Sequence, residues 1–167
     1  VKGNFDGNYL EFWETIDTEL IIVKNPLDDP QGWVMDFIPL GLGNDKFGFH
    51  SALFYKKPDI HFIGYTTNQS YTKNAFLAIA NSKMIIKNRS ISSLKYYNMK
   101  TNKFDNQMSL IDNYNLFSPG NTESSLCYLK RKRIFMCTTY DPLSGELSIM
   151  TSKKIKGPWH GPQLVFK

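Results

Sequence analysis

The chain repeats itself, and that repeat constrains its fold more than any other feature. Setting HSALFYKKPDIHFIGYTT (50–67) over ESSLCYLKRKRIFMCTTY (123–140), at an offset of 73 residues, places Ser51 on Ser124, Leu53 on Leu126 and Tyr55 on Tyr128. The same offset places Lys57 on Lys130, Phe62 on Phe135 and Thr66 on Thr139. Each segment reads as a strand, a short polar turn and a second strand. A further strand recurs as LEFWET (10–15), LAIANS (77–82) and LSIMTS (147–152), all of the form Leu-x-Phe/Ile-x-x-Ser/Thr, with starts 67 and 70 residues apart. Recurrence at such a period is the mark of an array of equivalent supersecondary units.

Strand-like runs fill the chain: Tyr9–Trp13, Leu20–Val23, Trp33–Ile38, Ser51–Tyr55, Ile60–Thr66, Phe76–Ala80, Leu94–Tyr97, Leu126–Leu129, Ile134–Thr139, Leu147–Met150 and Leu164–Phe166. Turn residues separate them, as at Asn25-Pro26, Asp29-Pro30, Ser118-Pro119-Gly120 and Asp141-Pro142. Aromatic residues make up 14% of the chain, which favours pleated surfaces over helices. No segment carries a 3.6-residue apolar stripe long enough for a helix. The expected fold is therefore all-β. Four antiparallel strands per unit, repeated about every 70 residues, predict a partial β-propeller, with a β-sandwich as the alternative.

On this reading the stretch MTSKKIKGPWHGPQLVF (150–166) closes a blade. Gly157-Pro158-Trp159 ends the third strand and turns the chain outward into the fourth, and Trp159 packs between neighbouring blades. The chain opens on a third strand (Tyr9–Trp13), adds a fourth, and runs through two full blades. That divides it into a blade remnant (1–45), a blade (46–115) and a blade (116–167), about two and a half blades in all. Such an array is a fragment of a larger propeller, whose remainder comes from the same or another chain, and its open blade face is an association surface. Two copies of this chain would leave mismatched half-blades rather than close a ring.

The chain's 167 residues suit one domain, and the net charge of +5 is mild. Its basic clusters, Lys130 to Arg133 and Lys153 to Lys156, fall at turns and strand ends and read as solvated. They lack the interleaved aromatics of a nucleic-acid surface, so no nucleic-acid partner is expected. No run approaches the roughly 20 apolar residues of a membrane span, so no membrane partner is expected either. Two glycosylation triplets, Asn68-Gln-Ser70 and Asn88-Arg-Ser90, point to an extracellular or secretory-pathway setting. Cys127 and Cys137 flank a hairpin tip and read either as a cross-strand disulfide or, preferably, as two small buried hydrophobes. Their spacing builds no metal site, and neither metal nor cofactor is expected.

The segments LSIMTSKKIKGPWHGP and ESSLCYLKRKRIFMCTTY resemble those of the five-bladed β-propeller glycosidases of the arabinanase, xylosidase and invertase kind, and of their non-catalytic relatives. The resemblance covers roughly residues 45–167 and implies a glycan or oligosaccharide partner held in a central funnel. It also implies carboxylates at the starts of the innermost strands, one of them a protonated general acid. Glu123 falls on the position of that acid. One blade earlier the corresponding residue is His50, where the enzymes commonly have Asp, so His50 is expected to bind sugar hydroxyls. Trp33, Tyr65 and Trp159 are the candidate sugar-stacking rings. Asp36 reads as an outer-strand residue and Asp59 as a turn residue. The implied function is glycoside hydrolysis or glycan binding; the alternative is a structural or protein-interaction propeller.

Overall fold

The structure, a computed structural model, describes residues 2–5, 10–14, 18–108 apart from 41–46 and 68–72, 111–120, 123–141 and 144–167. Side chains are described throughout these ranges except at residues 2–5, 10–14, 47, 50, 51 and 111. Among the described residues thirteen strands run in order: β1 (Lys2–Phe5), β2 (Leu10–Glu14), β3 (Glu19–Val23), β4 (Met35–Pro39), β5 (Phe47–Lys56), β6 (Asp59–Thr67) and β7 (Lys73–Asn81). After a seven-residue helix, α1 (Ser82–Asn88), come β8 (Lys95–Asn98), β9 (Lys103–Asp105), β10 (Glu123–Leu129), β11 (Ile134–Asp141), β12 (Glu146–Ser152) and β13 (His160–Phe166). Each pairs antiparallel with a chain neighbour, giving the sheets β1-β2, β3-β4, β5-β6-β7-β8-β9 and β10-β11-β12-β13. The chain is all-β, and every expected strand has a counterpart.

Three features depart from the sequence reading. β2 pairs with a preceding strand, β1, rather than opening the chain, and β3 pairs separately with β4. The middle sheet has five strands rather than four, because Asn98 turns the chain back into β9: its Oδ1 accepts from the Lys100 and Thr101 backbone N–H groups at 3.0 and 3.1 Å. The link from β7 to β8 contains α1, capped by the Asn81 carboxamide, which accepts from the N–H groups of Lys83 and Met84. Only Ser82 and Ile85 of that helix are buried, so it carries no readable apolar stripe.

The two hairpins matched by the repeat differ at their tips. β5 and β6 close through Lys57-Pro58, with Lys56 opposite Asp59, whereas β10 and β11 close through the longer Lys130–Arg133 turn. Leu53 consequently pairs with Phe62, while Leu126 pairs with Cys137. Past the turn, the ladder counterpart of Phe62 is therefore Cys137, not the Phe135 that the fixed offset selects.

Side-chain alternation assigns each sheet two faces. One core joins Leu20, Ile38 and Leu40 to Phe49, Phe62, Phe76 and Ile85, fastening the β3-β4 ladder to one face of the five-stranded sheet. In this core Gly64 makes room for the Phe76 ring: a Cβ there would lie 2.2 Å from Phe76 Cζ. Across the join, Asp36 on β4 is paired with Lys24 at 2.9 Å and with Arg89, beyond α1, at 2.7 Å. The second core lies between the two large sheets and joins Ala52, Ile63, Ala75 and Leu77 to Leu126, Cys137 and Met150. The connection to β10 runs along β7, with Ala75 N–H donating to Phe117 O and Leu116 N–H to Ala75 O. Gly120 permits that approach, since a Cβ would lie 2.2 Å from Ala75 N.

The large sheets thus meet through non-equivalent faces. Leu126 points into the second core, whereas its repeat partner Leu53 lies on the opposite face of its own sheet, beside Phe62. The first strands of the two sheets, β5 and β10, pack against each other.

Candidate functional site

Glu123 opens β10 and is solvent-exposed. Across the sheet it sits opposite Tyr140, which sits opposite Leu147, which sits opposite Phe166. This row defines one end of the four-stranded sheet, where Glu146 also pairs with Lys167 at 2.9 Å. His50 lies on β5, the strand that packs against β10, and its side chain is outside the described residues. Tyr65 lies on β6 opposite Gly48, at the same end of its sheet as His50. It is 5% exposed, and Lys73 Nζ stands 5.5 Å from its ring centroid.

Trp159 and Trp33 do not join this group. Trp159 immediately precedes β13, whose His160 pairs with Thr151 at the opposite end of the four-stranded sheet from Glu123. Five or so residues of strand between the two ends amount to about 17 Å. The Trp159 ring packs on Phe117 with centroids 5.0 Å apart, and its Nε1–H donates to Ile155 O at 3.1 Å. Phe117 is bridged to Ala75 of the neighbouring sheet, so Trp159 fills space between the two sheets. Trp33 lies in the β3–β4 connection, where its Nε1–H donates to Asp28 O at 3.0 Å. Asp36 is held by Lys24 and Arg89, which keep its carboxyl below the usual range, and Asp59 begins β6 beside the turn.

The cysteines are both free. Cys127 is opposite Met136 and Cys137 is opposite Leu126, so neighbouring ladder positions send the two thiols to opposite faces of the sheet. Cys137 is fully buried in the second core, and burial, followed by the neighbouring Cys127, pushes its pKa up to about 12. Cys127 is half-buried on the other face.

A feature that the sequence reading missed lies at the end of the sheets away from Glu123. There a cleft of about 540 Å³ opens between the two sheets, lined by the ends of the β5–β6 and β10–β11 hairpins and by the turn after β12. Phe54, Tyr128 and Phe135 form its aromatic wall, with Phe54 edge-on to Phe135 at 5.1 Å and Tyr128 4.8 Å from Phe135. Lys56, Lys153, Lys154 and Lys156 supply its charge. His61 also lines it; burial pulls this imidazole below its ordinary pKa of 6.5, and its Nδ1 has no hydrogen-bond partner. Glu123 lines neither this cleft nor the neighbouring hollow behind the β12–β13 turn. Among the described residues, no group of three or more His, Cys, Asp or Glu side chains converges as a metal site, and no helix is long and apolar enough to cross a membrane.

These elements define an all-β protein of stacked antiparallel meanders. Comparisons with protein families, with curated proteins and with solved structures return no match.

Proposed function

We propose that the chain is part of a carbohydrate-directed β-propeller, with the exposed carboxyl of Glu123 as general acid and His50 beside it on the adjacent inner strand. The reading is supported chiefly by the head-to-tail stacking of the two large sheets: β5 and β10 adjoin, and the repeat-matched residues Leu53 and Leu126 point the same way round. A sandwich turns the inner faces of its two sheets toward each other and its outer faces to solvent. Radial stacking instead sets each sheet's leading face against the trailing face of the one before, which brings successive inner-strand starts to a common hub. A hub carboxylic acid is suited to protonating a glycosidic oxygen, and a hub imidazole to bonding sugar hydroxyls. Exposed Asn88 fits glycosylation in an extracellular or secretory-pathway protein.

The test is turnover of a panel of aryl glycosides by wild type and Glu123→Gln, run beside glycan-array binding. Hydrolysis lost by about 100-fold or more in the variant supports catalysis. Glycan binding that weakens in the variant, with no hydrolysis, supports a binding module. The absence of both hydrolysis and glycan binding in the wild type refutes a carbohydrate role.

The second reading, an interaction or structural propeller, is favoured by one observation. The outer face of the four-stranded sheet carries Leu129, Ile134, Met136, Tyr140, Ile149 and Phe166, all half-buried or exposed. Its counterpart on the middle sheet is buried in the second core. Another antiparallel sheet, supplied as the remainder of the propeller, is the occupant that this face fits.

A further inference from the structure

We propose that the cleft between the two large sheets binds a small ring-bearing oxyanion, a phosphate or sulfate ester. The site is independent of the reading of Glu123, which lies at the far end of the same sheet. The lining of the cleft carries four lysines, Lys56, Lys153, Lys154 and Lys156, and no carboxylate. Lys56, Lys153 and Lys154 are exposed and take part in no ion pair among the described residues, so their charge is not neutralised within the fold. Lys156 stands 5.1 Å from the Tyr97 ring centroid and 4.7 Å from that of Phe104, contacts that anchor it beside the cleft.

Phe54, Tyr128 and Phe135 offer an apolar surface between these ammonium groups. An inorganic anion would use the charge and waste the wall; a neutral ring would use the wall and leave the lysines hydrated. A ring carrying an anionic ester uses both, and a cleft of about 540 Å³ lies in the size range of small-molecule sites. Lysines suit this task as point charges that accept a range of oxyanion poses.

Isothermal titration of the full chain with 1-naphthyl phosphate, 1-naphthyl sulfate, 1-naphthol and inorganic phosphate tests the proposal. At least one naphthyl ester is expected to bind ten times more tightly, or better, than either naphthol or phosphate; which ester binds better identifies the natural headgroup. The exposed double variant Lys153→Glu/Lys154→Glu is expected to weaken that ester tenfold or more, and Lys153→Arg/Lys154→Arg to keep it within threefold. Lys130→Glu/Arg131→Glu, which changes the net charge equally at a turn outside the cleft, is expected to have less than a threefold effect. The proposal is overturned if neither ester binds, if naphthol binds equally well, or if the two charge reversals weaken binding equally. The last result would mark a diffuse polyanion surface.

Discussion

Replacing Trp159 by Ala probes the joint between the two large sheets. The ring is half-buried against Phe117 and in contact with the second core. Roughly 150 Å² of aromatic surface removed from water, at about 25 cal/mol per Å², corresponds to nearly 4 kcal/mol. Partial exposure and relaxation of the neighbouring loop reduce this, so a loss of about 3 kcal/mol is expected. For a chain of this size that loss lowers the melting temperature by about 6–12 °C. Trp159→Phe, which retains a ring but loses the bond to Ile155 O, should cost only about 1 kcal/mol more than the difference in ring size. The assay is urea unfolding followed by far-ultraviolet circular dichroism, with Phe117→Ala and the double variant completing a cycle. Tilted packing of the rings, with centroids 5.0 Å apart, predicts a coupling of about 1 kcal/mol. A single-variant loss below about 1 kcal/mol, together with strict additivity, would show that the Gly-Pro-Trp turn does not lock one sheet to the next.

Gly120→Ala places a Cβ 2.2 Å from Ala75 N and 2.4 Å from Asn74 C, both backbone atoms with little freedom to yield. It should cost about 2 kcal/mol or more, read as a lower melting temperature. Thiol labelling of the native protein should modify Cys127 and spare Cys137, whose thiol is fully buried with a pKa of about 12; both should react in denaturant, as peptide mapping by mass spectrometry will show. Because burial lowers the pKa of His61 below 6.5, the unfolded chain takes up this proton before the folded one does. Stability should therefore fall as pH drops below about 6.5, levelling off beneath the folded pKa, and His61→Gln should flatten that part of the stability profile.

Much of the fold is legible in the sequence because strands announce themselves locally. Alternation and turn residues locate β5, β6, β10 and β11, and a repeated Leu-x-Ile-x-x-Ser locates β7 and β12. The elements that escaped depend on short-range side-chain bonds or minimal burial. α1 rests on the Asn81 cap and one buried Ile, and β9 follows from the bonds that Asn98 makes to its own turn. The offset of 73 holds along the first strand and fails past the hairpin because a turn can lengthen without changing the faces of the strands it joins. The separate fates of Cys127 and Cys137 follow from the same alternation: only the register, set by the length of the turn, decides which thiol enters the core.

The basic cleft was hidden for a different reason. Lys130–Arg133 and Lys153–Lys156 each read as a solvated strand end when the chain is taken one segment at a time, and each turn does carry exposed cations. Their aromatic complement is not adjacent in sequence: Phe54 comes from one sheet, Tyr128 and Phe135 from the other. Equivalent strands stacked head to tail bring the turns of both sheets to the same end, so cations spread through the repeat accumulate there while Glu123, Asp141 and Glu146 gather at the opposite end. The resulting charge separation along the strands is a property of the repeat as a whole. Like charges crowded at one end repel one another, and a bound oxyanion relieves that repulsion while its ring covers the aromatic wall.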